Sequence, residues 1–293
     1  MNRCASISIV VPNFNGAATL AGTLRSLVDQ EYPKLEIFVV DGGSTDHSVE
    51  IIRQYEKHIT WWVSEKDRGQ SHAINKGFTR STGEIFNWIC SDDQVAPGAL
   101  SYIGQYFAEH ADVDVVAGAC RAEFEGEPHK TYVARSLMER INMLPIAPCL
   151  AQPAVYIRRN IIDRSFLVEE DLHYTMDSEL YAYLHQKGVR WATTAELLAV
   201  QLYTGANKTL VGGSRIAKEL ELIYRRYAQE RIPLVFWHRH LRHPLERWRM
   251  RHADSRLAQW AVRPLQVGLI LCLAPFYGLR RVRAMNWHFW VDR

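Results

Sequence analysis

The sequence predicts an α/β fold: a mainly parallel sheet flanked by helices, followed by a basic helical extension. Three observations carry this. Short apolar runs alternate with segments of helical period, and a polar loop closes each run, which is the pattern of strands joined by right-handed crossovers. The fourth run, Glu84-Ile85-Phe86-Asn87-Trp88-Ile89-Cys90-Ser91-Asp92-Asp93, is almost uninterrupted until it breaks into two adjacent acids. Charge is split along the chain. Residues 1–214 carry 19 Lys and Arg against 26 Asp and Glu, whereas residues 215–293 carry 16 against 6.

Taken in order, residues 7–11 (ISIVV) read as a buried strand ended by the loop Pro12-Asn13-Phe14-Asn15-Gly16. Leu20, Leu24, Leu27 and Val28 follow at helical spacing, and Tyr32-Pro33 stops that helix. Residues 35–40 (LEIFVV) form a second strand. Asp41-Gly42-Gly43-Ser44-Thr45-Asp46 then turns into a helix bearing Val49, Ile52 and Tyr55, with Ser44, Thr45 and Asp46 all suited to cap it. Residues 60–64 read as a third strand, Asp67-Arg68-Gly69-Gln70 as a loop, and Ala73 to Phe78 as a short helix. The run 84–93 reads as one strand buried on both faces. The loops at Asn13, Asp41, Asp67 and Asp92 all follow strands, so a parallel sheet gathers them at the edge where open α/β sheets bind ligands. Pro97 opens a helix carrying Leu100, Ile103 and Phe107, and residues 113–120 and 152–157 read as strands. Met176, Leu180, Tyr183 and Leu184 form a helix stripe capped by Gly188, which puts Asp177 in the first, electropositive turn. Gly205, Gly212 and Gly213 mark loops. Ile216, Leu220, Ile223 and Tyr227 start a helix that Pro233 ends.

The length of 293 residues and 47% hydrophobic content suit one large domain, or one domain with an appendage. Cys4, Cys90, Cys120, Cys149 and Cys272 are odd in number and far apart, which fits a reducing compartment without a disulfide framework or a thiolate metal site. A strand begins by Ile7, so no cleavable signal is expected. No Gly-x-Gly-x-x-Gly or Walker A pattern supports dinucleotide or P-loop chemistry. Asp92 and Asp93 repel each other and lack a local counter-charge. A divalent cation that takes oxygen ligands, Mn or Mg, is the economical partner; a solvated turn before the Pro97 helix is the alternative. The histidines His238, His240 and His243 sit among arginines, which oppose a cation there.

Once these elements are placed, the chain resembles a family 2 glycosyltransferase with the Rossmann-like GT-A fold. The resemblance rests on Ile7-Ser8-Ile9-Val10-Val11-Pro12-Asn13-Phe14-Asn15, on Glu36-Ile37-Phe38-Val39-Val40-Asp41-Gly42-Gly43-Ser44-Thr45-Asp46, on Glu65-Lys66-Asp67-Arg68-Gly69-Gln70, on Ala73-Ile74-Asn75-Lys76-Gly77 and on Ser91-Asp92-Asp93. The expected division is a catalytic domain over 1–212 and a helical, Arg/Trp-rich tail over 213–293. The resemblance implies that Pro12, Asn13 and Phe14 wall the nucleotide base and that Asp41 bonds the base edge. It implies that Asp67 and Arg68 close the base and phosphate side, that Asp92 faces the ribose, and that Asp93 holds Mn or Mg on the diphosphate. Asp177 resembles the general base, with Glu169, Glu170 and Asp171 as competing acids. Gln152 is placed toward the acceptor and Lys208 toward the diphosphate, a structural turn being the alternative for both. The chemistry needs these types: a cation steadies the departing diphosphate, and a carboxylate takes the proton of an attacking hydroxyl. Departures from the family's pattern are Gly42 where a second acid is common, Ser-Asp-Asp for Asp-x-Asp, His72 in place of an acid, and Met176-Asp177 for Glu-Asp. Gln186 and Arg190-Trp191 are one residue too far apart for the processive motif, which points to transfer of a single sugar.

The expected activity is therefore metal-dependent transfer of one sugar from a nucleotide-sugar, a UDP-sugar, to a hydroxyl of a glycan or lipid-linked acceptor, with the inversion the family implies. The setting is bacterial polysaccharide or lipid-linked glycan synthesis, cytoplasmic and peripheral on the inner face of the cell membrane. The tail interleaves Arg with Trp237, Trp248, Trp260, Trp287 and Trp290, and residues 264–279 are 16 uncharged residues. That is shorter than the roughly 20 residues a spanning helix needs, and Pro275 interrupts it. A helix or bent pair lying on an anionic membrane surface through residues 235–293 is expected. Packing on the catalytic domain or on a second subunit is the alternative, and a homo-oligomer is compatible with the sequence. Nucleic acid is not expected as a partner, because the apolar run suits lipid. A sugar nucleotidyltransferase would carry a basic Gly-rich loop after the first strand, which Pro12 to Gly16 lacks. A non-catalytic module binding nucleotide-sugar or membrane is opposed by Asp41, Asp93 and Asp177 together.

Overall fold

The computed structural model describes residues 4–124, 130–132, 150–203, 207–208, 212, 214–227, 232, 234–252, 255–279 and 282. Its strands are β1 (Ile7–Asn13), β2 (Leu35–Asp41), β3 (Trp61–Ser64), β4 (Ile85–Trp88), β5 (Asp93–Val95), β6 (Val115–Phe124), β7 (Lys130–Tyr132), β8 (Val155–Arg158) and β9 (Trp191–Tyr203). Its helices are α1 (Ala17–Val28), α2 (Ser48–Gln54), α3 (Gln70–Arg80), α4 (Ala99–Glu109), α5 (Met176–Gln186), α6 (Ser214–Tyr227), α7 (Leu234–Trp237), α8 (His243–Arg251) and α9 (Arg256–Tyr277). The strands form one sheet in the order β3-β2-β1-β4-β8-β6-β9-β5, with β7 paired to β6 off that path. Strands β1 to β4, β6 and β9 run one way; β5, β7 and β8 run against them.

Side chains alternate between the faces of a strand, so a continuous apolar run serves two cores at once. Val10, Phe38, Val40, Phe86 and Trp88 join the core beneath α3, α5 and α6. Ile7, Ile9, Val11, Ile37, Val39 and Ile85 join the opposite core with Leu20, Leu24 and Leu27 of α1 and Leu100, Ile103 and Phe107 of α4. Helix α3 lies hard against β1: a Cβ on Gly77 would stand 2.5 Å from a methyl of Val10.

Several expectations are corrected here. The run 84–93 is not one strand. Strand β4 stops at Trp88, the chain turns with Asp93 N donating to Cys90 O (2.9 Å), and Asp93 begins β5, which pairs antiparallel to β9. Helix α2 starts at Ser48 after His47, and Asp46 accepts from Ser48 N (3.0 Å) and Ala17 N (2.9 Å), so it serves the start of two helices. Helix α3 is longer than expected. It begins at Gln70, after Gly69 takes the left-handed region (φ +114) that favours glycine. Pro275 does not interrupt the apolar helix: α9 runs 22 residues through Pro264 and Pro275. Each proline removes a single backbone bond, leaving the carbonyls of Trp260 and Leu271 without their intrahelical donors, while the rest of the ladder continues. By length and composition the window Trp260–Tyr277 is apolar enough to cross a membrane.

The C-terminal segment is not separate from the rest. Helix α6 buries Ile216, Ala217, Leu220, Ile223 and Tyr224 in the same core as Leu180, Tyr181 and Leu184 of α5. The expected division at 212/213 therefore runs through one shared core. Helix α9 buries Val262 and Leu273 but leaves Leu257, Trp260, Leu265, Val267, Leu271 and Phe276 exposed. Gly205, Gly213, Pro233, Cys149, Trp287 and Trp290 lie outside the described residues.

Candidate functional site

Parallel register builds the first corner of the site. Asn13 stands opposite Asp41 and Asp41 opposite Ser64, so three strands end level. Asp41 is fully buried. Its carboxylate accepts from Asn13 Nδ2 (2.7 Å), Ser64 Oγ (2.6 Å), Ser44 N (2.9 Å), Gly43 N (3.2 Å) and the Ser44 hydroxyl. Burial works to raise its pKa, but these donors outweigh it and hold the carboxyl below its usual range. Pro12 is buried beside this corner, whereas the Phe14 ring is 66% exposed above it. Asp67 accepts from Gly69 N (2.7 Å), and its Oδ2 lies 2.9 Å from where a Cβ on residue 42 would be. The carboxylate missing at Gly42 is thus replaced in space by one from the next loop.

The second corner is the turn after β4. Ile89 N donates to Val10 O (2.9 Å), and the Thr23 hydroxyl of α1 bridges the carbonyls of Ser91 (3.0 Å) and Asp93 (2.7 Å). Asp93 is 6% exposed, and among the described residues its carboxylate accepts no hydrogen bond. Burial, with Asp92 beside it, pushes its pKa well above the usual range. Asp92 is raised by burial, against an acceptor bond from Asn207 Nδ2 (2.8 Å). Ligand atoms of Cys90, Asp92 and Asp93 all lie within 4.8 Å of one another. A buried carboxylate without a donor, a second carboxylate and a sulfur at that spacing fit a divalent cation, and the two carboxylates favour one that takes oxygen, such as Mg or Mn. Cysteine spacing argued against a thiolate site, yet folding brings Cys90 to the acids. Gln70 Nε2 donates to Cys90 Sγ (3.0 Å) and Lys208 Nζ donates to Gln70 Oε1 (3.2 Å), which joins the start of α3 and Lys208 to the acidic turn.

Asp177 occupies the first turn of α5, where Ser178 N donates to its Oδ1 (2.7 Å). Burial outweighs that bond and raises its pKa to about 6. Cys90 lies within electrostatic reach of Asp92, Asp93, Lys208 and Asp177, and Lys208 within reach of Asp67, Asp92 and Glu219, so these groups share one side of the molecule. Of the competing acids, Glu170 pairs with Arg68 (2.5 Å), Glu169 pairs with Arg226 (3.1 Å), and Asp171 is exposed. Arg68 and Gln152 both make protein contacts. Gln152 Nε2 donates to Asn87 Oδ1 (3.1 Å) and Trp88 O (2.8 Å), bracing the end of β4. Sequence reasoning gave no role to Ser64, Thr23, Gln70, Asn207 or Glu219, although Gln70 lies in a motif that carries the resemblance. Strand register could have found Ser64; Thr23 and Glu219 touch the site through long-range contacts that leave no local pattern.

The family model described as Glycosyl transferase family 2 matches residues 8–166, more than half of the chain. An uncharacterized glycosyltransferase of Rickettsia typhi is 26% identical over 182 residues, 60% of this chain and 57% of that protein. The GalNAc(5)-diNAcBac-PP-undecaprenol beta-1,3-glucosyltransferase of Campylobacter jejuni is 28% identical over 135 residues, 45% of this chain and 43% of that one. The chain thus matches about half the length of these relatives. Among solved structures, S. aureus TarS 1-349 in complex with UDP-GlcNAc aligns with a TM-score of 0.60 at 17% identity, covering 95% of this chain and 89% of that one. A mannosyltransferase from Pyrobaculum calidifontis in complex with GDP-Man and Mn2+ aligns with a TM-score of 0.59 at 20% identity, covering 97% and 85%. These structures share the fold, a curled α/β sheet of the GT-A kind. With that sheet, its acidic rim and a match over more than half of its length, the protein belongs to glycosyl transferase family 2.

Proposed function

We propose that the protein moves one sugar from a UDP-sugar to a hydroxyl of a lipid-linked glycan, with inversion at the anomeric carbon and with a divalent cation present. The observation that carries this reading is the pairing of unlike acids on one rim. Among the described residues Asp93 is buried without a donor beside Asp92 and Cys90, and Asp177, raised to about 6, stands on the same side. Asp93 would hold the cation, with Asp92, expected at the ribose, close enough to share it; when bound, the cation would supply positive charge to the leaving diphosphate. Lys208 adds a second cation to that leaving group, and Gln70 holds Lys208 in place. Asp177 accepts the proton of the acceptor hydroxyl, and a carboxyl that ionises near 6 is largely a base at neutral pH. Asn13, Asp41 and Asp67 frame the nucleotide base, with Phe14 and Pro12 as its wall. Arg68 closes the phosphate side after leaving Glu170, and Gln152 faces the acceptor. The Campylobacter relative, named for an undecaprenol-linked substrate, supports the acceptor class, and the UDP-GlcNAc complex of TarS supports the donor class.

Helix α9 supports a site on the inner face of a bacterial membrane. One of its faces is packed on the protein, while Leu257, Trp260, Leu265, Val267, Leu271 and Phe276 are exposed, on a segment rich in Arg. Such a helix lies in the interface with its outward side in lipid and Arg at anionic headgroups. Leu271→Glu with Phe276→Glu should release the protein from phosphatidylglycerol vesicles in a sedimentation assay; unchanged binding would rule this surface out.

The main test is a thermal-shift screen of UDP- and GDP-sugars with and without Mn, followed by UDP release and the anomeric configuration of the product. Ligands that bind only the native state raise its melting temperature. The reading predicts a shift with a UDP-sugar that deepens with Mn, and a product of configuration opposite to the donor. Pyrophosphate release, or retention of configuration, would defeat it.

A further inference from the structure

The acid at the start of α5 is held by a helix that the family match does not reach. Glu219 lies on α6 (Ser214–Tyr227), beyond residues 8–166. Its Oε1 accepts from His173 N (3.0 Å). Its Oε2 accepts from Tyr174 N (2.9 Å), Thr175 N (3.1 Å) and Thr175 Oγ1 (3.0 Å). Those three residues lead directly into α5, with Thr175 in the capping position and Asp177 second in the helix. Amides approaching a helix start need acceptors, and a threonine there usually supplies one from its own hydroxyl. Here Thr175 makes no side-chain cap, because its hydroxyl is turned to Glu219.

A second tie lies one turn on. Glu179 of α5, with no exposure, accepts from Arg164 through both oxygens (3.0 and 2.9 Å) and from the Tyr227 hydroxyl at the end of α6. The segment before α5 is pinned on its other side by α3. Ser71 Oγ donates to Leu172 O (3.0 Å), and Asn75 both accepts from Leu167 N (2.9 Å) and donates to Val168 O (2.8 Å). The start of α5 is thus fixed between α3, whose first residue Gln70 touches the acidic turn through Cys90, and α6.

We propose that Glu219 is a positioning residue: by gathering the amides of residues 173–175 it sets where the Asp177 carboxylate stands relative to the acidic turn. This rests on the reading of Asp177 as the base. A small displacement of a base costs rate rather than binding, since the reacting atoms must be aligned within a fraction of an ångström. The titratable groups facing Asp177 are Glu219 from α6 and Cys90 from the turn after β4. The negative charge of Glu219 works with burial to lift Asp177, so removing that charge lowers the pH at which Asp177 ionises.

The test uses the full chain with UDP-glucose and UDP-GlcNAc as donors and Mn present, and compares Glu219→Gln, Glu219→Ala and Asp177→Asn. Glu219→Gln keeps the shape and an acceptor oxygen, so it guards against simple unfolding. The expected result is a fall in kcat of roughly 10-fold for Glu219→Gln and up to roughly 100-fold for Glu219→Ala. Donor KM and the thermal shift produced by UDP with Mn should be unchanged, and the acid limb of the kcat–pH profile should move to lower pH in Glu219→Gln. Wild-type kcat and an unmoved acid limb in both Glu219 variants would overturn the proposal, as would a lowered melting temperature with full kcat per folded molecule. Turnover retained by Asp177→Asn would instead overturn the base reading; an inactive Asp177→Asn beside wild-type Glu219 variants would sink only the role of Glu219.

Discussion

Two buried aspartates lie in the same sheet, one closing β2 and the other opening β5, and they differ in almost every physical respect. Asp41 closes β2 with five donors on its carboxylate and a pKa held below its usual range. Asp93 opens β5 with no donor among the described residues, a second acid beside it and a pKa pushed well above the usual range. An unpaired buried carboxylate is expensive, while a fully bonded one is not. Asp41 is therefore satisfied within the fold and ties β1, β2, β3 and the Gly43-Ser44 loop together. On the proposed reading, Asp93 is the carboxylate that a bound cation would neutralise. The protein keeps its scaffold and its reactive edge in adjacent corners, and the difference lies in the donors supplied to each.

The sharpest way to break this comparison is Asp93→Asn. Turnover should fall by roughly a thousand-fold, while the ligand-free protein should melt higher because a destabilised carboxylate is gone. Unchanged Mn-dependent turnover would remove the distinction between the two corners. Asp177→Asn comes next, with kcat reduced by roughly 100-fold or more. Its stability effect has a definite sign. The folded pKa of Asp177, about 6, lies above the unfolded value of 3.8, so the stability it contributes is present at low pH and is lost as pH rises through 6. At pH 8 the Asn variant should be the more stable by about 1–2 kcal/mol, allowing for partial solvent screening, and the gain should vanish near pH 4. Chemical denaturation at the two pH values checks this. For Asp41→Asn the opposite is expected. Its lowered pKa means stability that is present above pH 3.8 and lost as pH falls through the folded value. The variant should lose about 2–4 kcal/mol at neutral pH and show a shallower acid denaturation, whatever happens to turnover. An Asp41 variant as stable as the parent would mean the five bonds contribute little.

Much of the fold was legible in the chain. The strands of residues 7–11 and 35–40, the helix stripes at Leu20 and Leu100, and the gathering of Asn13, Asp41, Asp67 and Asp92 on one rim follow from short-range periodicity and the handedness of crossovers. What was misread shares one cause. The run 84–93 looked like a single strand because its apolarity is continuous, yet only contacts with Thr23, Cys90 and β9 turn it after Trp88. The tail expected over 213–293 rests on its charge and its Arg/Trp pattern, and within it Ile216, Leu220 and Tyr224 share a core with the sheet.

Local chemistry along the chain determined the order of elements, the edge that carries the acids and the acidic pair Asp92-Asp93, because period and loop composition act over a few residues; the choice of Asp177 as base came from the family resemblance. Only tertiary structure decided which acid is satisfied and which is not. The donors of Asp41 come from two other strand ends and the Gly43-Ser44 loop, the clamp on α5 comes from Glu219 more than 40 residues on, and Cys90 meets the acidic pair only after the turn closes. Burial and hydrogen bonding depend on neighbours distant in sequence, and these set the charge state on which the chemistry rests.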